Sequence, residues 1–130
     1  MTIEGNKDQI RGLFDEVWTN GDVSAAARFY APGSTLDDLQ EFARALYAAF
    51  PDWHATIDEL IAEGDRVVVR WTGAGTHRGA WAGVAATGQE VRTTGIDVER
   101  FEDGLIVEEH SNVDMLGFME QIGAVTRVED

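Results

Sequence analysis

Residues 90–115 read EVRTTGIDVERFEDGLIVEEHSNVDM. Two alternating, β-branched-rich runs flank Asp103-Gly104. That dipeptide is a hairpin signal, because a type I′ turn needs positive φ at both central positions. Glu90–Phe101 and Leu105–Met115 are therefore predicted to be antiparallel partners. With Asp103 and Gly104 as the turn, Phe101 faces Ile106, Glu99 faces Glu108 and Asp97 faces His110. Gly95 then faces Asn112, and Thr93 faces Asp114. Strict alternation puts all of these on one face. Arg100, Val98, Ile96, Val107, Ser111, Val113 and Met115 fall on the other. In this register Asp97 and His110 are neighbours with Cβ atoms ~4.5–5.5 Å apart. Asp114 lies on the same line, roughly 13 Å beyond His110 at ~3.3 Å per residue.

Upstream of the hairpin the pattern is also period 2. Trp53, Ala55 and Ile57 alternate with polar neighbours up to a turn at Glu63-Gly64-Asp65. Arg66–Trp71 is a second β-branched run continuing towards Thr76, and Arg78–Gln89, with three glycines, reads as a loop. Before Asp52 the period is helical. Ile10, Leu13, Phe14, Val17 and Trp18 share one face up to Asn20-Gly21. Val23, Ala26, Ala27 and Tyr30 mark a short second helix broken by Pro32-Gly33. Leu36, Leu39, Phe42, Ala43, Leu46 and Phe50 mark a third, stopped by Pro51. Leu116–Ile122 reads as a short helical turn. Three helices followed by antiparallel strands is an α+β order, with the helices packed on a curved sheet.

A chain of 130 residues corresponds to one domain, here residues 1–130. Ten basic against 24 acidic residues leave a net charge of −14. Such a surface repels phosphate backbones and anionic membranes, so neither nucleic acid nor a membrane is an expected partner. The chain has no cysteine, which excludes disulfides, thiolate metal sites and a cysteine nucleophile. No apolar run is long enough to span a bilayer. Met1–Asn20 lacks the pattern of a signal peptide, and a cytoplasmic location is the expectation.

Among candidate site residues, Asp114 stands out, since it lies between Val113 and Met115-Leu116. A carboxylate in apolar surroundings has a raised pKa and serves as acid or base near neutrality. Its plainer reading is a cap on the following turn. Asp97 and His110, with Asn112 and Thr93, share its predicted face. The plainer reading of that face is a wet sheet surface, which also covers Glu99 and Glu108. Trp81, in a glycine-bounded loop, is placed to cover an apolar ligand. His77, in Gly75-Thr76-His77-Arg78-Gly79, is placed either to bind a substrate carbonyl or to brace its loop. His54, His77 and His110 lack metal-ligand spacing, and no metal is expected. Gly73-Ala74-Gly75 is not followed by a helix, so no dinucleotide cofactor is expected either.

Several motifs in order carry a resemblance. They are Phe50-Pro51-Asp52-Trp53, Gly64–Trp71, Gly75-Thr76-His77-Arg78-Gly79, Gly95-Ile96-Asp97, Phe101-Glu102-Asp103-Gly104 and Asp114-Met115-Leu116-Gly117 with Gln121-Ile122-Gly123. Together they resemble the SnoaL-like polyketide (ester) cyclases, within the NTF2-like cone fold. The resemblance implies a helix-backed, strongly curved antiparallel sheet around an apolar cavity, in a homodimer. It implies a cofactor-free intramolecular aldol closure of a small apolar carbonyl substrate. It maps the family's acid/base aspartate onto Asp114. The family's histidine on a neighbouring strand has no counterpart, since Glu90–Phe101 contains none; His110 is the nearest substitute. The chain also runs from Phe29-Tyr30-Ala31 straight into Pro32-Gly33-Ser34, where family members carry a longer segment. Alternatives on the same cone are a non-catalytic binding module, a cofactor-free hydroxylase, an isomerase or an epoxide hydrolase. The Val98 face, with Val107, Val113 and Met115, is predicted to pack sheet to sheet against a second copy.

Overall fold

A computed structural model describes residues 2–128. The sheet has four antiparallel strands in sequence order. They are β1 (His54–Glu63), β2 (Arg66–Thr76), β3 (Glu90–Glu102) and β4 (Leu105–Val113). Asp103 and Gly104 have φ of 51° and 78°, so the hairpin turn is the one the dipeptide predicts. Helix α1 (Ile3–Leu13) is capped by the Thr2 hydroxyl, which accepts from the Gly5 amide at 2.9 Å. It widens into a π-helical stretch over Phe14–Thr19. The short second helix is a 3₁₀ segment, Val23–Arg28. Helix α2 (Leu36–Ala49) and helix α3 (Met115–Gln121) complete the set. Met115 therefore starts α3 rather than ending β4.

The helices cover the concave face of the sheet. Ile10, Leu13, Phe14 and Val17 pack against Val67, Val69, Phe101 and Ile106 in one cluster. Leu46, Phe50, Trp53, Val91, Phe118 and Ile122 form a second. Two glycines give the indoles room. A Cβ on Gly73 would run into the Trp53 ring, and one on Gly95 into the Trp71 ring. Overpacking of this kind costs about 1–3 kcal/mol. Gly95→Ala is therefore expected to lower the thermal midpoint by several degrees, and equal midpoints in a scan would contradict this packing.

The predicted register fails after the first two residues of β4. Glu102 pairs with Leu105 and Phe101 with Ile106, as expected. The pairing then shifts, so that Arg100 faces Glu108, Glu99 faces Glu109, Val98 faces His110 and Asp97 faces Ser111. Val107 is the extra residue of a bulge. The cause is parity. Ile106 is buried in the core, and its backbone is held by Phe29 and Ala31 through hydrogen bonds of 2.9 Å each. Glu109, Ser111 and Val113 also line the concave side. Ile106 and Glu109 are an odd number of residues apart, so both face inward only if one residue is looped out.

This shift corrects the predicted faces. Asp97 and His110 are not neighbours. His110 lies on the convex face, where Nε2 meets Glu108 Oε1 at 2.8 Å. Ser111 and Val113 belong to the concave side. The convex face keeps Ile96 and Val98, and a row runs Ile61, Val68, Val98, His110 across the four strands. It is bordered by Arg100, which pairs with Glu108 at 3.1 Å and Glu102 at 2.9 Å. No helix among the described residues is long and apolar enough to cross a membrane.

Candidate active site

Between the concave sheet face and the helices lies a cavity of about 620 Å³. Its walls are aromatic: Trp18, Phe42, Trp53, Trp71, Trp81 and Phe118 all line it. Trp81 reaches in from its loop and meets Phe42 edge to face, with ring centroids 5.8 Å apart. It also stands 5.8 Å from the Phe118 ring. Against this apolar wall, β3 and β4 present three carboxyl groups: Asp97, Glu99 and Glu109.

Asp97 and Glu99 are alternate residues of β3 and so project to the same side. Glu109 is Glu99's cross-strand partner. Glu109 Oε2 accepts from the Tyr30 hydroxyl at 2.5 Å. Tyr30 follows the 3₁₀ segment, its backbone bridges to Ile106, and its side chain is buried. Burial first, and then the nearby Glu109 charge, push the phenol well above its ordinary value, so it stays a donor. Glu99 is only 1 % exposed, and its Oε2 has no hydrogen-bond partner. Burial, reinforced by the Glu109 and Asp97 charges, pushes its carboxyl far up, leaving it neutral at pH 7. Asp97 Oδ1 accepts from the Ser111 hydroxyl at 2.5 Å. Burial pushes Asp97 up to about 6, although Ser111 and the Trp71 indole pull it back down. The sheet side of the cavity thus holds one neutral acid, one carboxyl poised at about pH 6 and one carboxyl bonded to a phenol.

Of the predicted site residues, Asp97, Thr93, Asn112 and Trp81 line this cavity. The Thr93 hydroxyl donates to the Asp114 carbonyl at 3.1 Å. Asp114 itself is exposed rather than buried. It caps α3, its Oδ1 accepting from the Gly117 amide at 3.0 Å. Asp114→Asn is accordingly expected to retain activity and nearly all stability, whereas Asp114→Ala loses about 1 kcal/mol. An inactive, fully folded Asn variant would assign Asp114 a catalytic role. His77 is fully buried but outside the cavity. Its Nδ1 accepts from the Thr87 amide at 3.3 Å, and its ring stacks on Phe50 at 5.2 Å, so it braces the loop. Tyr30 and Glu109 were not legible as site residues. The parity of Ile106 and Glu109 was the one available signal, and it becomes one only if both are known to face inward.

A curved sheet closed by helices over an aromatic cavity, with ionisable groups at one side, has the form of a small-molecule site. The chain belongs to the SnoaL-like polyketide cyclase family, which it matches over residues 8–122. It is similar to AclR of Streptomyces galilaeus, a candidate hydroxylase, at 26 % identity and a TM-score of 0.90, covering 98 % of this chain and 87 % of that one. It is similar to a candidate polyketide cyclase from Acidithiobacillus ferrooxidans at 27 % identity and a TM-score of 0.81, covering 95 % and 98 %. IdmH of Streptomyces antibioticus, another candidate polyketide cyclase, shares 26 % identity at a TM-score of 0.76, covering 91 % and 98 %. No curated protein matches the chain significantly.

Proposed function

We propose that this protein is a cofactor-free cyclase closing a ring in a polyketide-type carbonyl substrate, with Asp97 as its acid/base. The observation that carries this reading is a carboxyl poised at about pH 6 on the wall of an aromatic cavity. As a carboxylate, Asp97 removes a proton α to a carbonyl. Flanking carbonyls of the substrate delocalise the charge, and the carbanion adds to a second carbonyl. Asp97, now protonated, returns the proton to the new alkoxide. A pKa near the working pH suits both transfers. Ser111 orients the carboxyl through its 2.5 Å bond. The aromatic walls fold the substrate, and bringing reacting carbons into near-attack geometry is worth about 7–11 kcal/mol.

Incubation with a linear poly-β-ketone methyl ester tests the reading. The expected product is an isomer of unchanged mass with a new carbon–carbon bond. Tight binding of such esters with no conversion would make the domain a binding module instead. The likeness to AclR favours one second reading, hydroxylation, whose product would be one oxygen heavier and whose formation would consume dioxygen.

The same reading includes a cytoplasmic homodimer joined through the convex face. Ile61 and Ile96 are 54 % and 47 % exposed there, beside Val68 and Val98. Light scattering at micromolar concentration is expected to report twice the chain mass, and a value near 14.3 kDa would refute the dimer.

A further inference from the structure

The cavity is unbalanced in charge. Asp38, Asp97, Glu99 and Glu109 line it, and among the described lining residues there is no lysine, arginine or histidine. Buried carboxylates are ordinarily paired with a cation, because desolvation is otherwise too costly. Here Glu109 has a phenol, Asp97 has a hydroxyl, and Glu99 has only the Glu109 carboxyl beside it, its Oε2 unpartnered while 99 % of the residue is buried. An organic cation would complement such a wall. The rest of the wall suits one. Trp71 lines the cavity from β2, next to the strand that carries Asp97 and Glu99, with Trp18 and Trp53 also on the wall. Indole faces attract ammonium groups that have lost their water.

We propose that the ligand of this cavity carries a protonated amine, which seats between Glu99 and Glu109 while its apolar body lies against the tryptophans. The proposal deepens the functional reading above by naming a substrate class, and it shares with that reading only the premise that this cavity binds the substrate. A bound ammonium supplies the charge that the chain withholds. Glu99 can then ionise beside it, so binding releases a proton from Glu99 at neutral pH. The other groups facing Glu99 are Glu109, Asp97 and the Tyr30 hydroxyl, and none of them is cationic.

Three probes of matched shape test this: naphthalen-1-ylmethylammonium, naphthalen-1-ylmethanol and naphthalene-1-acetate. Their binding is followed by quenching of tryptophan fluorescence at pH 7. The ammonium is expected to bind at least about tenfold more tightly than the alcohol, with the acetate weakest. The order should persist in 0.5 M salt, where attraction to the −14 surface is screened. Glu99→Gln with Glu109→Gln should reduce the preference below about threefold, whereas Glu63→Gln, on the exposed sheet end, should leave it intact. Calorimetry of the wild-type protein in buffers of different ionisation enthalpy gives a readout that needs no variant. The ammonium is expected to release up to one proton and the alcohol none. Equal binding of ammonium and alcohol, no binding of the ammonium, or a preference that survives in a folded double variant would overturn the proposal. So would the absence of proton release. Cyclisation of a neutral ester alongside any of those results would leave the cyclase reading standing, while tight ammonium binding without cyclisation would do the reverse.

Discussion

Asp97→Asn is expected to lower the cyclisation rate by about 10²–10⁴-fold, the usual worth of a positioned acid/base. The amide keeps the shape and an oxygen for the Ser111 hydroxyl, so binding and stability should change far less than turnover. In the wild-type protein the rate should rise with pH through about 6, where Asp97 loses its proton, and then level off. Both readouts come from one assay, formation of the cyclised isomer followed by liquid chromatography. A variant that still cyclises at the wild-type rate, or a wild-type profile flat between pH 5 and 7, would remove Asp97 from the mechanism. Ser111→Ala is the milder companion. Without its hydroxyl, Asp97 loses a contact that favours the ionised form, and the inflection should move upward.

Glu99→Gln should make the protein markedly more stable at neutral pH. Burial raises the Glu99 carboxyl above its unfolded value of 4.5. A group shifted this way favours the folded state fully below pH 4.5, and that contribution is lost as pH rises towards the folded pKa. With the folded value above 7, the loss between pH 4.5 and 7 is about 3 kcal/mol at 1.36 kcal/mol per unit. Glutamine is neutral throughout and keeps the volume. The gain is therefore expected to be near zero at pH 4.5 and to grow to about 3 kcal/mol at pH 7, a rise of roughly 10 °C in thermal midpoint. Denaturant melts at several pH values measure it. A gain of equal size at every pH would mean improved packing rather than removal of a buried acid.

Much of the fold was legible because the signals are local. The change of period at Asp52 separates the helical half from the strands, and Pro51 and Pro32-Gly33 mark the helix boundaries. Asp103-Gly104 adopts positive φ at both positions for a reason internal to those residues. The second helix came out as a 3₁₀ segment and α1 as partly π-helical, which are details that packing adjusts within an assigned helix.

The site was legible only as far as Asp97, Thr93, Asn112 and Trp81. Which faces β3 shows was set by alternation along that strand. What stood opposite was set elsewhere, by the backbone of Phe29 and Ala31 bonding to Ile106 and by the core that takes its side chain. Those contacts span more than seventy residues of sequence, and they force the bulge at Val107. One residue of slip exchanges His110 for Glu109 in the cavity, and turns a predicted Asp–His pair into a cluster of acids around Tyr30. Asp114 shows the same division. Its place between apolar neighbours is a property of the sequence, whereas its side chain went to the nearest orphan amide of α3, a choice made by the end of the helix. Sequence by itself determined the period, the turns and the order of layers, because each depends on a few adjacent residues. Tertiary structure alone decided the register, and with it the charge of the cavity, because a buried residue's face is chosen by everything packed against it.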